Sequence, residues 1–181
     1  MKTDARVKYT KMVLKKALLE LMQRKPINKI TVKEVCERAE LNRATFYAHY
    51  SDCFALLESI EEDLLEAFRQ SLKLVDSFDV TALIEAIYTM IEQQQEACRV
   101  LIFQNVCPNV LRRMISLARS KSIAYWKQHL HRVTDAELEM LYTHLSNGLM
   151  HVVVEGYEKY SREEVVRFVN RIVQCSLSQF Q

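Results

Sequence analysis

The chain has 181 residues, of which 49% are hydrophobic and 27% charged, and its formal net charge is +2. Two glycines and two prolines are few helix breakers for this length, and no run of about 18 apolar residues occurs, so the composition favours an all-α protein and excludes a helical membrane span. The N-terminus lacks the pattern of a secretion signal, so we expect a cytoplasmic protein without a membrane partner.

The charge is unevenly distributed along the chain. Residues 1–50 contain 12 Lys or Arg against 5 Asp or Glu, a net charge of +7, whereas residues 51–181 carry a net charge of −5. A basic N-terminal part on an acidic remainder is typical of a protein in which one end meets a polyanion.

The first predicted helix runs from about Asp4 to Arg24, because apolar residues recur there at helical spacing. Its apolar stripe consists of Val13, Leu14, Ala17, Leu18 and Leu21.

Two short helices joined by a turn are predicted between Thr31 and Tyr50. Thr31 and Glu34 have the spacing of a capping box, so the first of these helices begins at Thr31. Asn42 is a good N-cap for the second helix, in which Phe46 and Tyr50 lie four residues apart and point inward. This is the layout of a helix-turn-helix.

The second short helix carries side chains suited to a DNA groove. Arg43 can donate two hydrogen bonds to guanine, and Thr45 can offer a hydroxyl or a methyl group to a base edge. Tyr47 and His49 can donate to phosphate oxygens. The spacing alone is equally compatible with an ordinary solvated face, and the basic charge of residues 1–50 favours DNA binding.

The segment from Val7 to Ile60 resembles the TetR family of bacterial transcriptional regulators. The most specific part of the resemblance is the run from Asn42 to Tyr50, NRATFYAHY, followed by Ser51-Asp52 and an amphipathic helix. The resemblance implies that Arg43, Ala44 and Thr45 read bases and that Tyr47 and His49 bind phosphates, with further contacts from the preceding helix. The predicted DNA-binding residues are Thr31, Lys33, Asn42, Arg43, Ala44, Thr45, Tyr47, His49 and Tyr50.

Two residues depart from the family pattern. Glu40 stands where the family usually has a turn glycine, so it must adopt a left-handed conformation or the turn must have another geometry. Cys53 stands where the family often has a phosphate-binding lysine. The five cysteines are widely spaced and form no C-x-x-C pair, which favours buried reduced thiols. Cys53 is the exception, because the helix dipole favours a thiolate in the first turn of a helix, and oxidation of Cys53 is a hypothesis for control of DNA binding.

The remainder of the chain is predicted to consist of amphipathic helices, about nine in total with those of the N-terminal head. A linking helix runs to about Val75 and ends at a polar break, Asp76-Ser77. One later helix covers about residues 109–132. Another begins at a capping box on Thr134, and the last begins at a capping box on Ser161. We predict a DNA-binding head over residues 1–50, a linking helix over 51–75 and a helical domain over 76–181, which the resemblance implies is the ligand-binding and dimerisation domain.

The last two predicted helices have wider apolar sectors than one small domain needs. Leu145 and Leu149 on one helix, and Phe168 and Ile172 on the other, are among the residues of these sectors. The resemblance implies that they pair with the same helices of a second chain, forming a homodimer. The alternative is an intramolecular core.

Aromatic and methionine side chains in the C-terminal part can line a pocket for a small apolar effector. The residues in question are Tyr88, Phe103, Met114, Trp126, Tyr142 and Met150. The same residue types at helical spacing are more often core residues, and Arg112, Arg113 and Arg119 leave an anionic effector as an alternative.

A metal site or an enzyme is the competing class of function. His144 and His151 lie seven residues apart on one predicted helical face, but no H-E-x-x-H motif, Gly-rich phosphate loop or G-x-S-x-G elbow occurs. The sequence therefore predicts no cofactor, no metal and no enzymatic activity.

The resemblance implies a homodimeric repressor that a small-molecule effector in the C-terminal domain releases from a palindromic operator in double-stranded DNA. The alternative is a helical adaptor or co-activator that binds a protein partner without small-molecule control.

Overall fold

The computed structural model describes residues 2–73, 80–104 and 108–180, and it confirms the predicted all-α fold. Within these ranges lie nine α-helices and no β-strand. In chain order the helices are α1 (Lys2–Met22), α2 (Val32–Ala39), α3 (Arg43–Tyr47), α4 (Cys53–Lys73), α5 (Val80–Gln93), α6 (Gln95–Cys98), α7 (Pro108–His129), α8 (Asp135–Gly156) and α9 (Arg162–Leu177).

Three of these helices begin at the capping boxes that the sequence predicts. At the start of α2, α8 and α9, the N-cap hydroxyl accepts from the amide of a glutamate three residues later. Each glutamate in turn accepts from the N-cap amide, at 3.0 Å for Thr31, 2.8 Å for Thr134 and 2.9 Å for Ser161. Two of the four unpaired amides at each helix start are thereby satisfied.

The chain forms two compact units. The first comprises Met1–Leu64 and Gln94–Val106, and the second comprises Leu65–Gln93 and Cys107–Gln181. The predicted boundary between residues 75 and 76, with its break at Asp76-Ser77, lies outside the described residues. Residues 94–106, which the sequence assigned to the C-terminal domain, group with the first unit because α6 contacts α1.

The first unit has its core between α1, α2, α3 and the start of α4. Leu14, Leu18 and Phe46 are completely buried there, together with Val35 and Leu56. Of the stripe predicted on α1, Leu14, Ala17 and Leu18 are buried and Val13 and Leu21 are half-buried. Leu19 and Met22, which lie outside the predicted stripe, are buried as well. A π-helical turn over Arg99–Phe103 follows α6 and buries Val100 and Leu101 in the same unit.

The second unit packs α5 against α9, α7 against α8 and α8 against α9. Its most deeply buried side chains are those of Leu65, Ile84, Met90, Met114 and Val153. None of the described helices is both long enough and apolar enough to cross a membrane.

Candidate DNA-binding surface and interior cavity

The turn between α2 and α3 is built on a left-handed residue. Glu40 has φ 54° and ψ 39°, and the amide of Leu41 donates to the carbonyl oxygen of Cys36 at 2.9 Å. This hydrogen bond is that of a Schellman motif, which normally places glycine at the left-handed position. Of the two geometries that the sequence left open, the structure adopts the strained one.

Helix α3 is only five residues long, and its cap and its buried ring hold it in place. Asn42 Oδ1 accepts from the Thr45 amide at 2.7 Å and from the Thr45 hydroxyl at 2.9 Å. Phe46 is completely buried beneath the helix and makes an edge-on contact with the Tyr47 ring, with 5.6 Å between ring centroids. Asn42 and Phe46, which do not lie on the outward face of α3, thereby set the orientation of that face.

That outward face contains Arg43, Ala44 and Tyr47. All three are exposed, and Tyr47 keeps 57% of its surface accessible. Arg43 makes no ion pair or hydrogen bond with any described residue, whereas other cations of this unit do: Lys15 pairs with Asp63, and Lys25 with Glu34. The Arg43 guanidinium is therefore available to a ligand outside the chain.

The remaining predicted DNA-binding residues differ in how they are placed. Thr31 is exposed at the start of α2, and Lys33 is exposed with its ammonium 3.7 Å from Glu37. His49 is half-buried beside the Tyr50 ring, with 6.4 Å between the ring centroids. Because the Thr45 hydroxyl donates to Asn42, its methyl group and its lone pairs are what it can offer to a base.

Tyr50, the last of the predicted DNA-binding residues, does not lie on the outward face with Arg43 and Tyr47. Its side chain is only 8% exposed, and its hydroxyl lies 3.5 Å from Ser59 Oγ on α4. The inward direction that the sequence predicted from the spacing of Phe46 and Tyr50 is the one observed.

Glu34 ties α2 to the preceding segment. Its carboxylate accepts from the Lys25 ammonium and from the amide and hydroxyl of Thr31. The Lys25 hydrogen bond, followed by those from Thr31, lowers the pKa of Glu34 to about 2. The carboxylate therefore stays ionised throughout the physiological pH range.

Burial of Cys53 opposes the thiolate that its helix position favours. Cys53 is 4% exposed, and burial, followed by the neighbouring Asp52 carboxylate, raises the pKa of its thiol to about 11. The position in the first turn of α4 favours the thiolate, but the loss of hydration is the larger effect. Cys36 and Cys98 are buried as well, while Cys175 is exposed. Nothing in the structure supports a reactive thiol at Cys53.

The second unit contains a small cavity between its helices. Its volume is about 50 Å³, and four of the six predicted pocket residues line it: Met114, Trp126, Tyr142 and Met150. The Tyr142 hydroxyl donates to the carbonyl oxygen of Ile115 at 2.6 Å, and burial raises the pKa of this tyrosine to about 12. The side chains that line the cavity are thus neutral.

The other two predicted pocket residues lie elsewhere. Tyr88 is buried against Tyr157, with 5.5 Å between ring centroids, and the Arg162 guanidinium lies 5.1 Å from its ring centroid. Phe103 belongs to the π-helical turn of the first unit. Tyr88 and Phe103 were predicted as pocket residues from their residue type alone. The packing shows that α5 turns Leu83 and Ile87 toward the cavity instead.

Sequence reasoning missed two polar residues of this wall, Ser146 on α8 and Ser122 on α7. Ser122 lies one helical turn before Trp126, is 1% exposed, and its hydroxyl has no hydrogen-bond partner among the described residues. A serine within an apolar helical stripe was the signal that marked it.

The outer faces of α8 and α9 leave apolar surface uncovered. Phe168 and Ile172 on α9 are 45% and 44% exposed, while their neighbours Val165, Val169 and Val173 are buried within the unit. Grooves of about 190 Å³ and about 450 Å³ run along the two helices. The predicted stripe of α9 is thus divided between the intramolecular core and an exposed face.

The two glycines of α8 have different surroundings. A Cβ atom at Gly156 would lie 3.2 Å from Tyr160 Cδ2 and 3.4 Å from Val165 Cγ2, so this glycine permits a close approach within the chain. A Cβ atom at Gly148 would meet nothing within 4 Å among the described residues. Gly148 lines the smaller groove, beside His144 and Ile172.

No group of three or more His, Cys, Asp or Glu side chains suited to a metal ion occurs among the described residues. His151 Nδ1 hydrogen-bonds the carbonyl oxygen of Asn147 at 2.9 Å, and both His144 and His151 are exposed.

Comparison with known proteins gives sequence matches to part of the chain and structural matches to nearly all of it. Residues 14–60 match the family model for bacterial regulatory proteins of the tetR family. A stretch of 59 residues, 33% of this chain, is 37% identical to the uncharacterized HTH-type transcriptional regulator YxbF from Bacillus subtilis (strain 168). That stretch covers only 16% of the relative's length.

Two solved structures resemble the chain over nearly its whole length. A TetR transcriptional regulator from Streptococcus agalactiae 2603V is 22% identical with a TM-score of 0.68, over 96% of this chain and 98% of that one. The dihydroxyacetone kinase operon activator DhaS is 17% identical with a TM-score of 0.64, over 95% and 98% of the two chains. At these identities the likeness concerns the fold.

Proposed function

We propose that this chain, whose residues 14–60 match the family model for bacterial regulatory proteins of the tetR family, is a homodimeric repressor that binds a roughly palindromic operator and releases it when a small molecule occupies the second unit. The protein acts as a regulator and not as an enzyme. The main support for DNA binding is Arg43, which is exposed beside Ala44 and Tyr47 on the capped helix α3. Arg43 has no ion-pair or hydrogen-bond partner among the described residues.

Each residue of this face has a distinct task. Arg43 donates to the N7 and O6 acceptors of guanine, and Ala44 contacts a thymine methyl group. Tyr47 donates its exposed hydroxyl to a phosphate oxygen, and the exposed Lys33 of α2 contributes a second phosphate contact. Base contacts give sequence specificity, and the phosphate contacts give affinity that falls with salt.

Dimerisation supports this mechanism, since two heads related by a two-fold axis bind two half-sites about one helical turn or more apart. The surface that supports a dimer is the exposed face of α8 and α9, with Phe168, Ile172 and Gly148. Glycine in the middle of a helix costs about 0.5–1 kcal/mol relative to alanine, and none of the described residues lies close enough to Gly148 to require a glycine there. A second helix that approaches closely there accounts for its presence.

Release requires that the effector bind more tightly to the conformation that does not fit the operator, and couplings of this kind are typically about 1–3 kcal/mol. The cavity lined by Met114, Trp126, Tyr142 and Met150 is the place we assign to the effector.

A second candidate function is transcription activation by a helical adaptor or co-activator that binds a protein partner without small-molecule control. The name of one structural neighbour, an operon activator, shows that this fold is also found in an activator. A promoter–reporter assay with and without the protein separates the two: repression lowers reporter output and activation raises it.

Selection of bound sequences from a random double-stranded DNA library tests the DNA-binding proposal, at two salt concentrations because sequence-blind binding falls steeply with salt. We expect one roughly palindromic site. Arg43→Ala should lose about 1–3 kcal/mol of discrimination between the four bases at one position of the operator. Lys33→Ala should instead weaken binding to all DNA sequences evenly and reduce by about 1 the slope of log affinity against log salt concentration. Arg132→Ala, an exposed arginine of the second unit, is the matched control. Sequence-blind binding by the parent protein would reject the proposal.

A further inference from the structure

We infer that the cavity lined by Ser122 binds a small uncharged molecule, one ring or a short alkyl chain, whose single hydroxyl or carbonyl oxygen hydrogen-bonds the Ser122 hydroxyl. This inference rests on the proposed function only in calling that molecule the effector. Binding itself is measured without DNA.

The wall of the cavity determines the charge of the ligand. All of the residues that line it are uncharged, and apolar groups make up nearly all of the lining, among them Phe68, Leu83, Ile87 and Met114. An ionised ligand would lose its hydration there without gaining a counterion, so charged molecules are excluded. Arg119, one of the cations considered for an anionic effector, is instead hydrogen-bonded to Glu139 at 2.9 Å.

Ser122 determines where the polar group of the ligand lies. Its side chain is 1% exposed and lines the cavity, and its hydroxyl has no hydrogen-bond partner among the described residues. Most buried side-chain hydroxyls have a partner, because an unpaired one has lost its bonds to water without replacement. Tyr142 has already used its proton on the carbonyl oxygen of Ile115. Ser146 lines the cavity as well, and its hydroxyl oxygen is also buried without a hydrogen-bond partner among the described residues. Ser122 is the more deeply buried of the two serines, so its hydroxyl is the one that we assign to the ligand oxygen.

The volume of the cavity determines the size of the ligand. About 50 Å³ is larger than the voids that a close-packed core usually leaves. It is smaller than the pockets of roughly 300–1,000 Å³ that hold drug-sized molecules. Met114 and Met150, both buried in the wall, have unbranched side chains that can change rotamer to admit a single ring.

The chain carries its own reporter for this cavity. Trp126 is the single tryptophan of the sequence, it lines the cavity, and it is 7% exposed. Its ring centroid lies 6.0 Å from that of Tyr142. Any molecule that enters the cavity changes the surroundings of Trp126, so tryptophan emission measures occupancy directly.

The test is a titration of the purified full chain, followed by Trp126 emission, with four probes of one shape: benzyl alcohol, toluene, benzoate and benzylamine. We expect saturable binding of benzyl alcohol and toluene, and at least tenfold weaker binding of the two ions. Ser122→Ala should weaken benzyl alcohol about fivefold and leave toluene unchanged, which is the effect of one lost hydrogen bond. Ser120→Ala, an exposed serine on the same helix, is the matched control.

Ala118→Leu, which fills the cavity, should abolish the response to both neutral probes. If Ser122→Ala fails to fold, Ser122→Cys replaces the hydroxyl by a weaker donor of similar shape and tests the same contact. Absence of saturable binding, equal affinity for benzoate and benzyl alcohol, or an unchanged benzyl alcohol affinity in the Ser122 variant would overturn the inference. If a palindromic operator is found but no probe binds, this inference is rejected and the DNA-binding proposal stands. If the probes bind but no operator is found, the proposal that the protein is a transcriptional regulator is rejected.

Discussion

Replacing Glu40 separates the two effects that this residue has on the helix-turn-helix, backbone strain and negative charge. At φ 54° and ψ 39° Glu40 occupies the left-handed region, which costs a residue with a Cβ atom about 1 kcal/mol relative to glycine. Glu40→Gly should therefore raise the free energy of unfolding by about 1 kcal/mol, or the melting temperature by about 2–4 °C for a chain of this size.

The carboxylate acts separately on DNA binding. Glu40 is exposed next to the face that carries Arg43, and it has no ion-pair partner among the described residues. One negative charge about 7 Å from a phosphate in water costs about 0.6 kcal/mol, which is about threefold in affinity at low salt. Glu40→Gln and Glu40→Gly should both bind operator about threefold more tightly.

Thermal unfolding and operator binding at two salt concentrations measure the two effects. Glu40→Gln keeps the Cβ atom in the left-handed region, so it should gain affinity without the stability gained by Glu40→Gly. Equal melting temperatures for the glycine and glutamine variants would refute the strain argument. Unchanged operator affinity in both variants would show that the carboxylate does not face the DNA.

Three other predictions concern acid stability, thiol reactivity and dimerisation. Glu34, with its pKa lowered to about 2, stabilises the fold at neutral pH; the advantage over Glu34→Gln in thermal unfolding should shrink as pH falls from about 4.5 toward 2. Cys53, with its pKa raised to about 11, should resist iodoacetamide and peroxide at pH 7, as followed by peptide mass. Gly148→Trp should give a monomer mass by light scattering, whereas Gly148→Ala should remain a dimer.

Each of these has a clear contrary result. A stability difference for Glu34 that persists below pH 2 would mean that its carboxylate is not the group that titrates. Rapid modification of Cys53 in the native protein would contradict its burial, with the exposed Cys175 as the internal standard for a reactive thiol. A dimeric Gly148→Trp variant would place the interface away from the smaller groove, and Met12→Trp at an exposed position of α1 controls for the addition of a large aromatic side chain elsewhere.

Features that depend on residues three or four positions apart were readable from the sequence. The capping boxes at Thr31, Thr134 and Ser161 require only a hydroxyl and a carboxylate at fixed helical spacing, and all three formed. The inward direction of Phe46 followed from the same periodicity. These local rules position α2 and α3, so the face that carries Arg43 was predictable.

Features that depend on competition between local preference and burial were not readable. The start of α4 favours a Cys53 thiolate, yet the thiol is buried and its pKa is raised. Tyr88 has the residue type of a pocket wall, but its ring packs between Tyr157 and Arg162. In each case the neighbours that decide the outcome come from elsewhere in the chain.

The amino-acid sequence by itself determined the helical fold, the capped helix-turn-helix and the basic charge of its N-terminal part, because hydrogen bonding and periodicity along one helix are local. Only the tertiary structure decided that Ser122 lines a cavity without a hydrogen-bond partner among the described residues, that Gly148 has none of the described residues in contact with it, and which half of the α9 stripe stays exposed. Burial is a property of packed neighbours, and the helical pattern says which residues share a face but not which helix covers that face.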